Sequence, residues 1–455
     1  MRAILALAAH TLAFASLLLL TAQPAAAQAI LRDAETEALL QDMVAPLVQV
    51  SELQSDDVAV VLVGDRSINA FVAGGQVIYV NAGLLEAADT VGEVQGVLAH
   101  ELGHITGGHV NRGREAAGRA GQISIISMVL AAAAAAAGAG DAAFGIMSAG
   151  QRAAIGKYLA FSRQQEAATD AAGARYLSAA GISGRGSLAF FEKLQNLEFR
   201  YGVSQADETE YVRTHPMTGD RIAFMREVYM ADPAWDTPDD PELQKRFERV
   251  KGKLYGYLAE PHHTMREYPR TDTTIPARYA RAYAYHKSAF IDNALAETDE
   301  LLAVEPDNPY FLELRGQVLL ESGRPEEALP ALRRASELTF NHPLIAAIFG
   351  HALIATEDEA NFAEAEQVLR AAVARDRRNP FAWYQLGVVY AHNGDQPRAR
   401  LASAEQQVMR RDYATALRSA TIAEQALPVG SPDWLRAQDI AMQARSELER
   451  ARDRR

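Results

Sequence analysis

The chain has 455 residues, 49% of them hydrophobic and 23% charged, too many for one core and enough for about three globular domains. Its net charge of −13 offers no basic surface to a polyanion and argues against nucleic acid as a partner. With no cysteine, disulfides and thiolate ligands are excluded together, and any metal must be held by His, Asp or Glu.

Arg2 is followed by an apolar run from Ala3 to Leu20 and then by Gln23-Pro24-Ala25-Ala26-Ala27-Gln28. This pattern reads as a signal peptide over 1–27, cleaved before Gln28, which exports the rest of the chain. Residues 28–56 are helical in pattern, with Leu39, Leu40, Met43, Leu47 and Val48 on one face. The β-branched run 58–63 and the segment from Asn69 to Asn81, broken at Gly74-Gly75, predict a small sheet ahead of the next helix. A strand there either forms an ordinary hairpin or lies beside a cleft and holds an extended peptide.

The stretch Val97-Leu98-Ala99-His100-Glu101-Leu102-Gly103-His104 organises the chain. At about 100° per residue, His100 and His104 stand one turn apart on one helix face and their imidazoles converge on one metal ion. Glu101 points beside that ion, where a carboxylate takes a proton from a water. Val94, Val97, Leu98 and Leu102 form the stripe that buries the helix. His109 lies about 180° from His100 if the helix continues, so it reads as non-ligating.

Residues 123–150 carry a single charge, Asp141, and seven consecutive alanines at 131–137. Alanine and glycine supply little transfer energy, so a helical hairpin is favoured over a membrane span. Such an insert either packs over the cleft or makes peripheral membrane contact, with Arg112, Arg114 and Arg119 near headgroups. A helix over 151–180 then carries Glu166 and Asp170, four apart on one face. Glu166 is placed to be the third protein ligand of a zinc site, and Asp170 to accept the outer ring N–H of a bound histidine. The segment Thr214-His215-Pro216-Met217-Thr218-Gly219-Asp220-Arg221 reads as a loop entering a helix.

Taken together, Asn69-Ala70-Phe71, His100-Glu101-x-x-His104, Glu166 with Asp170, and Thr214-His215-Pro216 to Arg221 make residues of about 35 to 230 resemble the gluzincin zinc metallopeptidases. This family holds the CAAX prenyl endopeptidases and HtpX, and the likeness is greatest to its periplasmic BepA-like members. The resemblance implies an α+β zincin-like catalytic domain over 28–230, mostly helical with a small sheet. It also implies one Zn2+ per chain bound by His100, His104 and Glu166, with Glu101 as base and Asp170 behind a ligand. His215 would lie near the metal as a latch or an oxyanion donor. Thr169 departs from the family's usual alanine, and the alanine-rich insert is unusual.

Residues 231–275, with Pro233, Pro238, Pro241, Pro261 and Pro269 around a helix-like 242–258, read as a linker. Its His262-His263 pair reads as solvated. From 276 to 455, Pro309, Pro343 and Pro380 each precede a glycine by seven residues, at Gly316, Gly350 and Gly387. Alanines at 328, 365 and 399 follow these glycines. This spacing resembles tetratricopeptide repeats, about four units in an all-α solenoid with the last degenerate.

The expected function is that of a periplasmic zinc endopeptidase in envelope and outer-membrane protein quality control. It would act on unfolded or misassembled envelope proteins and meet outer-membrane assembly machinery through its repeats. The alternative is an assembly chaperone or adaptor with a little-used protease site, and a purely structural zinc site is the blandest reading. Glu101 separates these, since a structural site needs no acid beside its ion.

Overall fold

A three-stranded sheet and the helix beneath it build the front of the molecule, seen here in a computed structural model that describes residues 30–54, 57–136, 140–201, 211, 215, 216 and 218–453. The 1–27 signal peptide, Thr214 and Met217 lie outside the described residues. Strands β1 (Ala59–Val63), β2 (Ala70–Ala73) and β3 (Val77–Asn81) are ordered β1-β3-β2. β3 is parallel to β1 and antiparallel to β2, with Ala70 opposite Val80. Among the described residues β2 pairs on one side only, so it is an edge strand.

Helix α1 (Ala34–Gln49) buries Leu39, Leu40, Met43, Leu47 and Val48, the face its periodicity predicts. The short helix α2 (Ala82–Ala87) leads into α3 (Val91–Thr106). Thr90 caps α3 by accepting the Glu93 N–H, while the Glu93 carboxylate takes the Asp89 N–H at 3.0 Å. Both bonds satisfy donors that a helix start leaves open. Val94, Val97, Leu98 and Leu102 are buried as expected, but so is the rest of the helix as far as His104. It is the central strut of the domain.

Helices α4 (His109–Ala136) and α5 (Gly140–Ala179) form an antiparallel hairpin, as the 123–150 insert was expected to. The insert is no separate element, because each half continues a helix rooted in the domain. No described helix is long and apolar enough to cross a membrane. Helix α6 (Arg185–Tyr201) closes the core behind α3, and α7 (Gly219–Met230) follows the His215 loop.

The junction is more than a spacer. Helix α8 (Pro241–Leu258) puts Phe247, Val250 and Leu254 into the same core as α1 and α3. Its other side abuts the first solenoid helix, where a Cβ at Gly252 would stand 2.5 Å from the Pro276 carbonyl oxygen. A short α9 (Pro261–Glu267) carries His262 and His263 exposed on a helix rather than a loop.

Five helix pairs follow: α10 (Ile275–Lys287) with α11 (Ile291–Val304), α12 (Pro309–Glu321) with α13 (Pro325–Leu338), α14 (Pro343–Ala355) with α15 (Glu359–Arg375), α16 (Pro380–His392) with α17 (Gln396–Met409), and α18 (Tyr413–Ala426) with α19 (Pro432–Asp453). The prolines at 309, 343 and 380 stand at the first helical position, where their missing N–H costs nothing. Gly316 and Gly350 face Leu332 and Leu369, whose Cγ atoms would lie 2.4 and 2.6 Å from an added Cβ. The pair α10–α11 adds a unit to the four expected, and it hid because Tyr283 stands where later units have glycine.

A buried polar knot joins the two parts. Lys253 on α8 bonds Asp33 and, at 3.3 Å, Glu35, which also accepts the Tyr279 hydroxyl at 3.0 Å. Arg249 pairs with Glu35 and with Glu305. Burying these charges is tolerable only because each has a partner.

Candidate metal centre

Two facing helices and one loop bring the predicted ligands together. His100 and His104 project from α3, Glu166 from α5, and His215 from the loop before α7. One ligand atom of each of these four residues lies within 4.8 Å of the others, and all four side chains are buried. The inner nitrogens, Nε2 of His100 and of His104, are 3.2 Å apart. Glu166 Oε2 lies 3.4 Å from the first and Oε1 3.5 Å from the second. A buried set of nitrogens and a carboxylate aimed at one point fits a divalent cation such as zinc.

The helices approach this closely because α3 offers no side chain at the crossing: a Cβ on Gly103 would stand 3.0 Å from Thr169 Cγ2. The outer nitrogen of His100, Nδ1, meets Asp170 Oδ1 at 3.0 Å. Burial alone would raise the Asp170 carboxyl, but the Arg221 and His100 bonds hold it below the ordinary carboxylate range. Burial lowers the His100 imidazole, and the Asp170 and Glu166 bonds override this and lift it to about 9. His104 goes the other way, pushed down by burial and by its histidine neighbours.

Glu101 is fully buried, and its carboxylate forms no short hydrogen bond; His215 Nε2 stands 3.6 Å from Oε1. Loss of hydration pushes its pKa up, against the pull of His215 and His100. That is the setting of a proton acceptor kept ready rather than one spent in a salt bridge.

Three contributors went unread in the sequence. Arg221, in the first turn of α7, gives Nε and Nη2 to Asp170 at 2.7 and 2.8 Å. Its Nη1 reaches Glu166 Oε2 at 3.1 Å and donates to the Pro216 carbonyl at 2.8 Å. One guanidinium therefore fixes a ligand, the carboxylate behind another, and the loop bearing His215. Tyr211 stacks on His215 with centroids 4.6 Å apart, and its N–H bonds the Ile68 carbonyl next to β2 at 3.1 Å.

The third is His109. It is outside the ligand set, as expected, but the ground for placing it 180° away fails. α3 stops at Gly107, and Gly108 takes φ +61°, a left-handed conformation that suits glycine. The turn swings His109 back so that its Nδ1 faces His104 Nδ1 at 3.0 Å, with Thr169 Oγ1 at 3.0 Å from the same atom. The glycine pair was the available signal.

Residues 34–229 match the model of Peptidase family M48, and residues 279–339 and 357–409 match that of the Tetratricopeptide repeat. Over 293 residues the chain is 26% identical to the Beta-barrel assembly-enhancing protease of Escherichia coli K12, covering 62% of this chain and 57% of that one. It is 32% identical over 170 residues to the Metalloprotease LoiP of the same organism, covering 37% of this chain and 61% of the other. The chain spans little more than half the length of the assembly-enhancing proteases it matches.

Proposed function

We propose that this protein, whose residues 34–229 match the model of Peptidase family M48 and whose later helices match that of the Tetratricopeptide repeat, is a zinc-dependent endopeptidase, exported to the periplasm, that hydrolyses misassembled outer-membrane and other envelope proteins. The observation that carries this is Glu101, buried with its carboxylate free of short hydrogen bonds beside the converging His100, His104 and Glu166. A purely structural site would have no use for it.

Bound zinc would supply Lewis acidity toward the scissile carbonyl and toward water. Glu101 takes the proton of the attacking water and returns it to the departing amine. Asp170, whose Oδ1 lies 3.0 Å from His100 Nδ1, is placed to accept that N–H when the ring binds the ion, which would keep the Nε2 lone pair turned inward. Arg221 keeps Asp170 ionised and the His215 loop in place. The edge of β2 can add an extended substrate strand through main-chain bonds. His215 is proposed as a latch, a fourth ligand at rest that withdraws when substrate arrives.

The substrate class is supported by the relatives named for β-barrel assembly and by the repeats, whose stacked pairs form a surface suited to protein segments. A direct test incubates the zinc-loaded protein with an unfolded β-barrel protein and follows new termini by mass spectrometry. The parent should cut it, and Glu101→Gln should not. Equal cutting by both would reject the assignment.

A further inference from the structure

The end of the α4–α5 hairpin takes no part in that chemistry, and it exposes a run of large apolar side chains. Ile125, Ile126, Met128, Val129 and Leu130 are between 55% and 64% exposed, and Phe144 is 68% exposed. From Ala120 to Gln151 the sequence holds one charged residue, Asp141. We propose that this tip is a docking element for the surface of an anionic phospholipid bilayer.

The distribution of the side chains distinguishes lipid from a protein partner. At 100° per residue the five exposed α4 positions spread over about 200° of the axis, more than half of it, and leave only the side where Ser127 and Ala131 turn toward α5. A protein groove covers one stripe of a helix and would leave the others wet. A bilayer is a solvent and covers every side at once.

Charge favours the same occupant. Arg119, Arg152 and Lys157 are exposed around the apolar end, Arg112 and Arg163 lie nearer the base, and none of the five has an ion-pair partner among the described residues. From His109 to Gln165 there are six basic residues and two acidic ones, a local excess of four positive charges in a chain of net −13. Such a collar suits lipid phosphates, with long side chains able to reach up to the headgroups. It would repel the same collar on a second copy.

Length sets the depth. From Ile125 to Ala136, α4 rises roughly 17 Å at 1.5 Å per residue, comparable with one leaflet of a hydrocarbon core about 30 Å thick. The tip can enter one leaflet and cannot span two. The exposed Tyr158, beside Lys157, lies farther back along α5, where an aromatic ring with a polar end suits the interface.

The test uses the absence of cysteine. Val129→Cys, labelled with an environment-sensitive fluorophore, is mixed with vesicles of phosphatidylglycerol and phosphatidylethanolamine, and Glu326→Cys on the solenoid is the control. The label at 129 should brighten, shift to the blue and be quenched by bromine on the acyl chains, while the label at 326 stays unchanged. Neutralising Arg119, Arg152 or Lys157 with glutamine should weaken vesicle binding roughly fivefold per charge. No response at 129, or an equal response at 326, would overturn the proposal. So would a shift that grows with protein concentration in the absence of lipid, which would mark self-association.

Discussion

His215 Nδ1 stands 3.2 Å from both carboxylate oxygens of Glu166, a pairing that sets a loop histidine against a ligand carried by a different helix. It puts the imidazole within reach of the same ion as His100 and His104. A fourth imidazole ligand would exclude the attacking water, so the latch reading predicts that His215→Ala cleaves substrate, or itself, faster than the parent. If His215 instead donates to the oxyanion, the substitution should slow turnover about a hundredfold. Lower activity with unchanged zinc content would reject the latch.

Glu101→Gln should retain zinc and melt within a degree or two of the parent, since the amide keeps the shape of the carboxylate. Proteolysis should fall by at least about a hundredfold, the share a positioned general base contributes. Metal analysis, thermal melting and peptide turnover together check this. Loss of zinc alongside activity would place Glu101 among the ligands instead.

His109→Ala removes the group facing the outer nitrogen of His104. With His104 bound through Nε2, its Nδ1 carries the proton and donates to His109, which holds the ring in its plane. Metal affinity, read by competition with a chromophoric chelator, should drop roughly tenfold to a hundredfold. His109→Asn, which keeps an acceptor, should recover part of the loss. Unchanged affinity in the alanine variant would assign His109 to packing alone.

The buried knot between the domains predicts a pH dependence. Glu313 is buried near Lys253, Asp33 and Glu35, and loss of hydration raises its pKa from 4.5 to about 8, against the pull of Lys253. Between those values the folded chain holds a proton that the unfolded chain has released, so this group's contribution to stability falls as pH rises from about 4.5 and levels off above about 8. The slope is on the order of 1 kcal/mol per pH unit for one such group. Glu313→Gln should remove it, which denaturant titrations at pH 5 and pH 8 would detect as a smaller difference than in the parent. An identical difference in both proteins would show that Glu313 ionises freely.

How much of this was legible depended on how local each signal was. His100 and His104 were readable because helical spacing alone makes them neighbours, and Glu166 and Asp170 because they share one face. Arg221 was not, since its role depends on reaching Asp170, 51 residues away. His109 was judged on a helix assumed to run on, and the glycine pair that stops it outweighed the periodicity. The solenoid showed itself through Pro and Gly at repeated intervals and lost its first unit where Tyr283 broke the rhythm. Nothing in the sequence near Glu35 marks it as the partner of Tyr279, because that contact is made only once both domains are folded.

Glu166 sits on a 40-residue helix whose two ends meet different demands. The clasp between Gly103 and Thr169 is three residues from Glu166, about 4.5 Å along the axis, while the far end at Gly140 is 29 residues from the clasp, about 44 Å. A rod pivoting at that clasp moves its tip roughly ten times farther than its carboxylate. The hairpin can ride the undulations of whatever it rests on while the fulcrum end keeps the ligand still.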